Sequence, residues 1–126
     1  MLILAFETSA KAASVALTEN GKLLGESYQN TGLTHSQTLM VMAEDMLKAA
    51  GKTMADVTAV AVAEGPGSFT GLRIGLATAE AMAYSWQCLL HGVDTLKALA
   101  YNIPLEGFLL SPVLDAQKGN YYQALY

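Results

Sequence analysis

Apolar and polar positions form short strand-like runs near the start of the chain and helical periods further on. Leu2 to Phe6 is a brief apolar run, Ala13 to Thr18 a second and Lys22 to Gln29 a third, and each reads as a strand. Glu19-Asn20-Gly21-Lys22 joins the last two as a hairpin, with Asn20-Gly21 supplying the positive φ that a tight turn needs. The pattern then changes period. Thr34 and Gln37 fit a capping box, and Leu39, Met42, Ala43, Met46, Leu47 and Ala50 recur at helical spacing opposite Glu44, Asp45 and Lys48. An amphipathic helix over about 35–50, closed by Gly51, is predicted.

Val57 to Ala63 is an uncharged Val/Ala run that reads as a buried strand, and it leads into Gly65-Pro66-Gly67-Ser68-Phe69-Thr70-Gly71. A helix over 71–87 follows, with Thr70 as its expected N-cap. Gly75, Leu76, Ala79, Met82, Ala83 and Trp86 share one apolar face of that helix. Ile74, Ala77 and Ala81 share another, and Arg73, Glu80 and Gln87 form a thin polar stripe between them. Gly71, Gly75, Ala79 and Ala83 also make a ridge of small residues that permits close helix packing. Two readings stay open. The helix is the central core helix of an α/β domain, or one face meets the sheet and the other a partner protein. Leu89 to Val93 reads as a further strand, and Asp94 or Thr95 as the cap of a short helix over 95–102. Pro104 to Gly107 breaks the chain. A strand begins within Phe108 to Asp115, a turn spans Ala116 to Asn120, and Tyr121 to Tyr126 is the last strand. The expected architecture is an α/β lobe of order βββαβαβα over 1–103, followed over 104–126 by the opening strands of a second, incomplete lobe. An aromatic strand with no helix to cover it suggests a piece of a longer protein.

Composition sharpens this picture. Hydrophobic residues make up 52% of the 126 and charged residues only 14%, which favours an obligate partner or a chain cut from something larger. The net charge of -4, with no basic stripe, argues against autonomous grip on a phosphate backbone. Cys88 is the only cysteine, so no internal disulfide exists, and its apolar neighbours suggest a structural thiol. The first strand lacks a basic leader and no run approaches the roughly 20 apolar residues of a membrane span, so the cytoplasm is expected.

Candidate chemistry is sparse. Glu7-Thr8-Ser9 at the end of the first strand could orient a metal-bound phosphate, or be the polar exit of a strand. The glycine loop lacks the Lys-Ser/Thr ending of a P-loop, its glycines are misplaced for a dinucleotide fingerprint, and Ser68 lacks a Gly-x-Ser-x-Gly elbow. His35 and His91 have no ligating companion at helical spacing.

The segments Ile3 to Ser9, Ala13 to Leu17, Thr34 to Gln37, Gly65 to Gly75, Gly92 to Leu96 and Leu114 to Tyr122 together resemble the bacterial TsaB (YeaZ) family across the whole chain in order. The resemblance implies an actin-like ATPase fold of two lobes, in proteins considerably longer than this one. It also implies membership of the machinery that makes threonylcarbamoyladenosine in tRNAs reading codons that begin with adenosine. The implied role is that of a non-catalytic partner of the metal enzyme TsaD, working with the ATPase TsaE, pairing with itself when alone and meeting tRNA only through the complex. Catalytic and metal residues are then expected to be none. Thr95 and Leu99 stand where TsaD-like enzymes carry a metal-binding histidine pair, and Glu7 stands where most members show Asp. No cofactor of its own is implied, and nucleotide is expected only at an interface shared with TsaD. Glu7, Thr8 and Ser9 become a candidate vestigial phosphate site. The helices after the third strand and after the glycine loop become a partner seam, formed by Leu39, Met42, Met46, Gly71, Ile74, Gly75, Thr78, Ala79 and Met82. The alternative function is a nucleotide hydrolase or a glycoprotease-like peptidase of the same superfamily.

Overall fold

The computed structural model describes residues 1–30 and 36–126. Seven strands and three α-helices follow in the order β1 (Leu2–Glu7), β2 (Ala13–Glu19), β3 (Lys22–Gln29), α1 (Ser36–Ala49), β4 (Ala59–Gly65), α2 (Phe69–Trp86), β5 (Leu89–Asp94), α3 (Thr95–Ala100), β6 (Val113–Gln117) and β7 (Asn120–Gln123), with a single 3₁₀ turn at Met54–Asp56 before β4. The first eight of these elements reproduce the expected βββαβαβα order. They build one five-stranded sheet in the order β3-β2-β1-β4-β5, while β6 and β7 form a separate hairpin. The first three strands pair antiparallel, and β4 and β5 add in parallel beside β1, each reached by a helical crossover.

Alternation along the strands sets the layers. Leu2, Leu4, Phe6, Val15, Leu17, Val60 and Val62 point to one face of the sheet and are buried. Leu39, Met42, Ala43 and Leu47 of α1 and Ala79, Met82 and Ala83 of α2 cover that face and complete one core. Desolvation of these side chains is the main stabilising term. On the opposite face Ala5, Ser14, Ala16 and Ala61 stay half-buried, flooring a hollow of about 170 Å³ whose wall includes Ala98 of α3. The Asn20-Gly21 turn has positive φ at both residues, 51° and 83°, as its sequence requires.

Helix α2 starts earlier than its sequence suggests. Ser68, not Thr70, is the N-cap: its side chain accepts a hydrogen bond from the Gly71 N–H at 3.3 Å, and Thr70 lies exposed inside the first turn. The glycine ridge explains the shift. A β-carbon at Gly71 would overlap the Thr8 carbonyl oxygen, one at Gly75 the Thr8 hydroxyl, and one at Gly67 the Ser9 backbone. The helix therefore lies directly against the exit of β1, and the chain must cap it a turn before the tightest contact. The last turn closes at Gln87, whose φ of 51° lets the Cys88 N–H reach the Ala83 carbonyl at 3.1 Å. The capping box of Thr34 with Gln37 rests on residues outside the described set.

Near the chain end, strand structure begins only at Val113, because Phe108 to Leu110 lie outside the ladder and Pro112 has no N–H to offer one. Leu110 and Tyr126 instead exchange two backbone hydrogen bonds of 2.9 Å. Tyr126 also donates its hydroxyl to Asp94 Oδ1 at 3.1 Å. Asp94, not Thr95, caps α3 by accepting the Lys97 N–H at 2.9 Å. That N–H holds the Asp94 carboxyl below its usual range, with the Tyr126 hydroxyl adding to the effect.

Two outcomes follow from these contacts. Gly71→Ala should lower stability by about 1–3 kcal/mol in denaturant titration, because a backbone carbonyl must move to admit the methyl group, whereas Ala81→Ser on the exposed side of α2 should change it by less than about 0.5 kcal/mol. For Asp94 the folded-state pKa is lowered, so its stabilisation is present above the ordinary carboxylate pKa and is lost as pH falls through the lower folded value. Hydrogen exchange at the Lys97 amide should accelerate, relative to its intrinsic rate, only below the ordinary carboxylate range, and Asp94→Ala should remove that dependence.

Candidate functional site: the β1 exit and the α1–α2 face

The three polar residues that end β1 are used up by the packing just described. Thr8 is 0% exposed and donates its hydroxyl to the Gly71 carbonyl at 2.7 Å. Ser9 is buried; its carbonyl accepts the Ser68 N–H at 2.7 Å, and its own N–H donates to Glu7 Oε1 at 2.6 Å. A phosphate at this place would have to displace a helix that contacts Thr8 directly. The hydroxyl and amide groups of the candidate site at Glu7, Thr8 and Ser9 brace the glycine loop. The loop itself, with a cis Gly65–Pro66 bond, turns Ser68 back over Ser9. Phe69 points outward, 74% exposed, and Arg73 stacks on its ring with the guanidinium 5.6 Å from the centroid.

Most of the residues assigned to a partner seam lie inside the lobe. Leu39, Met42, Gly71, Gly75, Thr78, Ala79 and Met82 are buried against this chain's own sheet and against Thr8. Only Met46 and Ile74 keep partial exposure. Periodicity identifies an apolar stripe but not which stripe turns inward, and here the small ridge turns inward because it alone fits against Thr8. The second stripe behaves differently. Ala77 and Ala81 are exposed and Ile74 is half-exposed, next to Phe69, Thr70 and Arg73. Ser36 of α1 joins Thr70, Arg73, Ile74 and Ala77 around a shallow groove of about 280 Å³ between the two helices. The Ile74-Ala77-Ala81 stripe is legible in the sequence; the stacked pair of Phe69 and Arg73 beside it was not singled out there, although an aromatic four positions from a cation was the available signal.

The remaining chemical groups are dispersed. Thr95 is buried with its hydroxyl unpartnered, and Leu99 is partly exposed on α3. His91 is exposed on the edge strand β5, and His35 lies outside the described residues. Burial raises the Cys88 thiol above its usual pKa, which suits a structural role. Among the described residues no three His, Cys, Asp or Glu side chains gather as a metal would require, and no helix is long and apolar enough to cross a membrane.

Comparisons with known proteins converge on one group. The family model described as TsaD, tRNA N6-adenosine threonylcarbamoyltransferase, matches residues 25–126. The tRNA threonylcarbamoyladenosine biosynthesis protein TsaB of Bacillus subtilis is 33% identical over 126 residues, all of this chain and 55% of that protein. TsaB of Escherichia coli is 34% identical over 128 residues, with the same coverage of 100% and 55%. YeaZ from Pseudomonas aeruginosa superposes with a TM-score of 0.85 at 32% identity, over 99% of this chain and 59% of that one. The chain thus spans little more than half the length of these relatives, and its five-stranded sheet with crossover helices is an actin-like lobe. The chain belongs to the family that the TsaD model describes and, within it, to the TsaB (YeaZ) group.

Proposed function

We propose that the chain is the first lobe of a non-catalytic partner of TsaD, acting in the formation of threonylcarbamoyladenosine in tRNAs that read codons beginning with adenosine. The observation that carries this reading is the exposed pair Ala77 and Ala81, beside half-buried Ile74, on a helix whose other face is already packed. Small residues there let a partner helix approach closely, and the apolar area removed from water stabilises the pair. Phe69 and Arg73 at the head of the helix supply the aromatic and cationic contacts that commonly anchor such seams. The same face would serve a second copy of the chain when TsaD is absent. TsaE and tRNA would meet the assembly through TsaD, nucleotide would bind only at the shared interface, and the complex would work in the cytoplasm. Residues 104–126 would begin the second lobe.

The side chains at two places support the absence of catalysis in this subunit. Thr95 and Leu99 offer no imidazole to a metal, and the β1 exit has spent its hydroxyl and amide groups on Gly71 and Ser68. This use of the β1 exit removes the main motive for reading the chain as a nucleotide hydrolase or peptidase.

Ala77→Arg and Ala81→Arg should each weaken binding to TsaD at least about tenfold in calorimetry while leaving the melting temperature within about 2 °C. Gly75→Arg should instead unfold the lobe, because its side chain would enter the space of Thr8. Undiminished TsaD binding by both Ala77→Arg and Ala81→Arg would overturn the seam.

A further inference from the structure

The helical layer stops short of one side of the sheet. Helix α1 packs over β2 and part of the inner face of β3, whereas the other face of β3, the terminal strand, stays exposed, with Tyr28 at 67%. Between β3 and the outer side of α1 runs an open groove of about 610 Å³. Gly25, Ser27 and Gln29 line it from the strand, and Val41, Met42 and Met46 from the helix. At Gly25 the Met46 sulfur sits directly on the strand, in space that a β-carbon would need.

Two properties of this groove point to one kind of occupant. The first is the backbone. A bulge at Leu24 disturbs the pairing of β3 with β2, but from Gly25 to Gln29 the ladder is regular, opposite Leu17 to Ala13. The outer edge of that segment has no strand beside it among the described residues. Edge strands are usually protected by lysine, proline or a bulge. Here Lys22 and the bulge both fall in the first half, and the second half has neither lysine nor proline. An extended backbone satisfies such an edge, because its N–H and C=O groups repeat at the spacing of a strand. The second property is charge. The ionisable residues bordering the groove are both acidic: Asp45 lies on α1 and Glu26, paired with Ala16, on the other face of β3, with no lysine or arginine among the lining residues. Antiparallel pairing of two copies centred on Ser27 would set Glu26 opposite Tyr28, so self-association is an outcome that the test must separate.

We propose that the Gly25–Gln29 edge and the groove beside α1 receive an extended, basic segment of a partner protein, which adds to the sheet as a further strand. Apolar side chains on the helix-facing side of that segment would settle against Val41, Met42 and Met46, and the alternate lysine or arginine side chains would lie on the face of Glu26, with Asp45 at the rim of the helix side. The site lies beyond β3, separate from the Ile74-Ala77-Ala81 seam, and stands or falls independently of it.

The test uses the isotopically labelled chain and an acetylated, amidated heptapeptide alternating lysine and valine. Saturable shifts confined to β3 and the outer side of α1, with slowed exchange of amides between Gly25 and Gln29, are expected. The glutamate–valine counterpart should not bind. Alternate N-methylation of the lysine peptide, which removes its edge-facing donors, should weaken binding at least about tenfold. The double variant Glu26→Lys with Asp45→Lys, both on exposed side chains, should weaken it about fivefold or more with an unchanged spectrum elsewhere. Absence of saturable shifts at millimolar peptide would overturn the proposal. So would equal binding of the acidic or N-methylated peptide, shifts on the Ile74 side of α2, or a self-association that fills the β3 edge and that the double variant abolishes.

Discussion

Thr8 and the first two turns of α2 approach so closely that no side chain fits between them, and the rest of the lobe is arranged around that contact. It fixes where the helix begins, which of its faces turns inward and what the β1 exit can do. Glycine at positions 71 and 75 is costly in a helix interior, by about 1 kcal/mol each relative to alanine. The cost is offset because the close approach lets Ala79, Met82 and Ala83 reach the sheet and lets the Thr8 hydroxyl bond to the Gly71 carbonyl. Bracing of the β1 exit and placement of the helix are two consequences of one piece of packing.

Much of the fold was legible because its elements carry strong local signals. The Asn20-Gly21 turn, the alternation of Leu2, Leu4 and Phe6, the charge-free run before Gly65 and the period of Leu39, Met42, Leu47 each specify one conformation, and each is found. Boundaries fared less well where two residues could serve the same purpose. Ser68 and Thr70 are both good caps, and the choice depends on Gly71 having to sit against Thr8, a contact between residues 63 positions apart. The last strands were misjudged at their ends, where Pro112 delays the ladder and, of the apolar residues before it, Leu110 alone pairs, through its two backbone bonds to Tyr126.

The functional face was harder to read than the fold for a related reason. A helix with two apolar stripes announces that both need an explanation, but not which one is interior. The stripe containing Gly75, Ala79 and Met82 is the more conspicuous in sequence and is fully occupied by the chain's own core. The modest Ile74-Ala77-Ala81 stripe is the one left facing outward. Small residues attract attention as helix contacts, yet a glycine is as readily demanded by a backbone carbonyl in the same chain as by a foreign helix.

The high apolar fraction bears on this choice differently from what composition alone suggests. If α2 carried the surplus, its exposed side chains would dominate the apolar surface. They do not: Tyr101, Ile103, Leu105, Phe108, Leu109 and Leu125 are the larger exposed group, and they surround the link to the β6–β7 hairpin. Composition therefore says little about pairing through α2, because the surplus belongs to a different part of the chain. The case for the seam rests on position instead. Ala77 and Ala81 are small and outward, and Ala77 borders the groove that Ser36 of α1 also lines, so a partner helix there reaches both helices without displacing any side chain already packed.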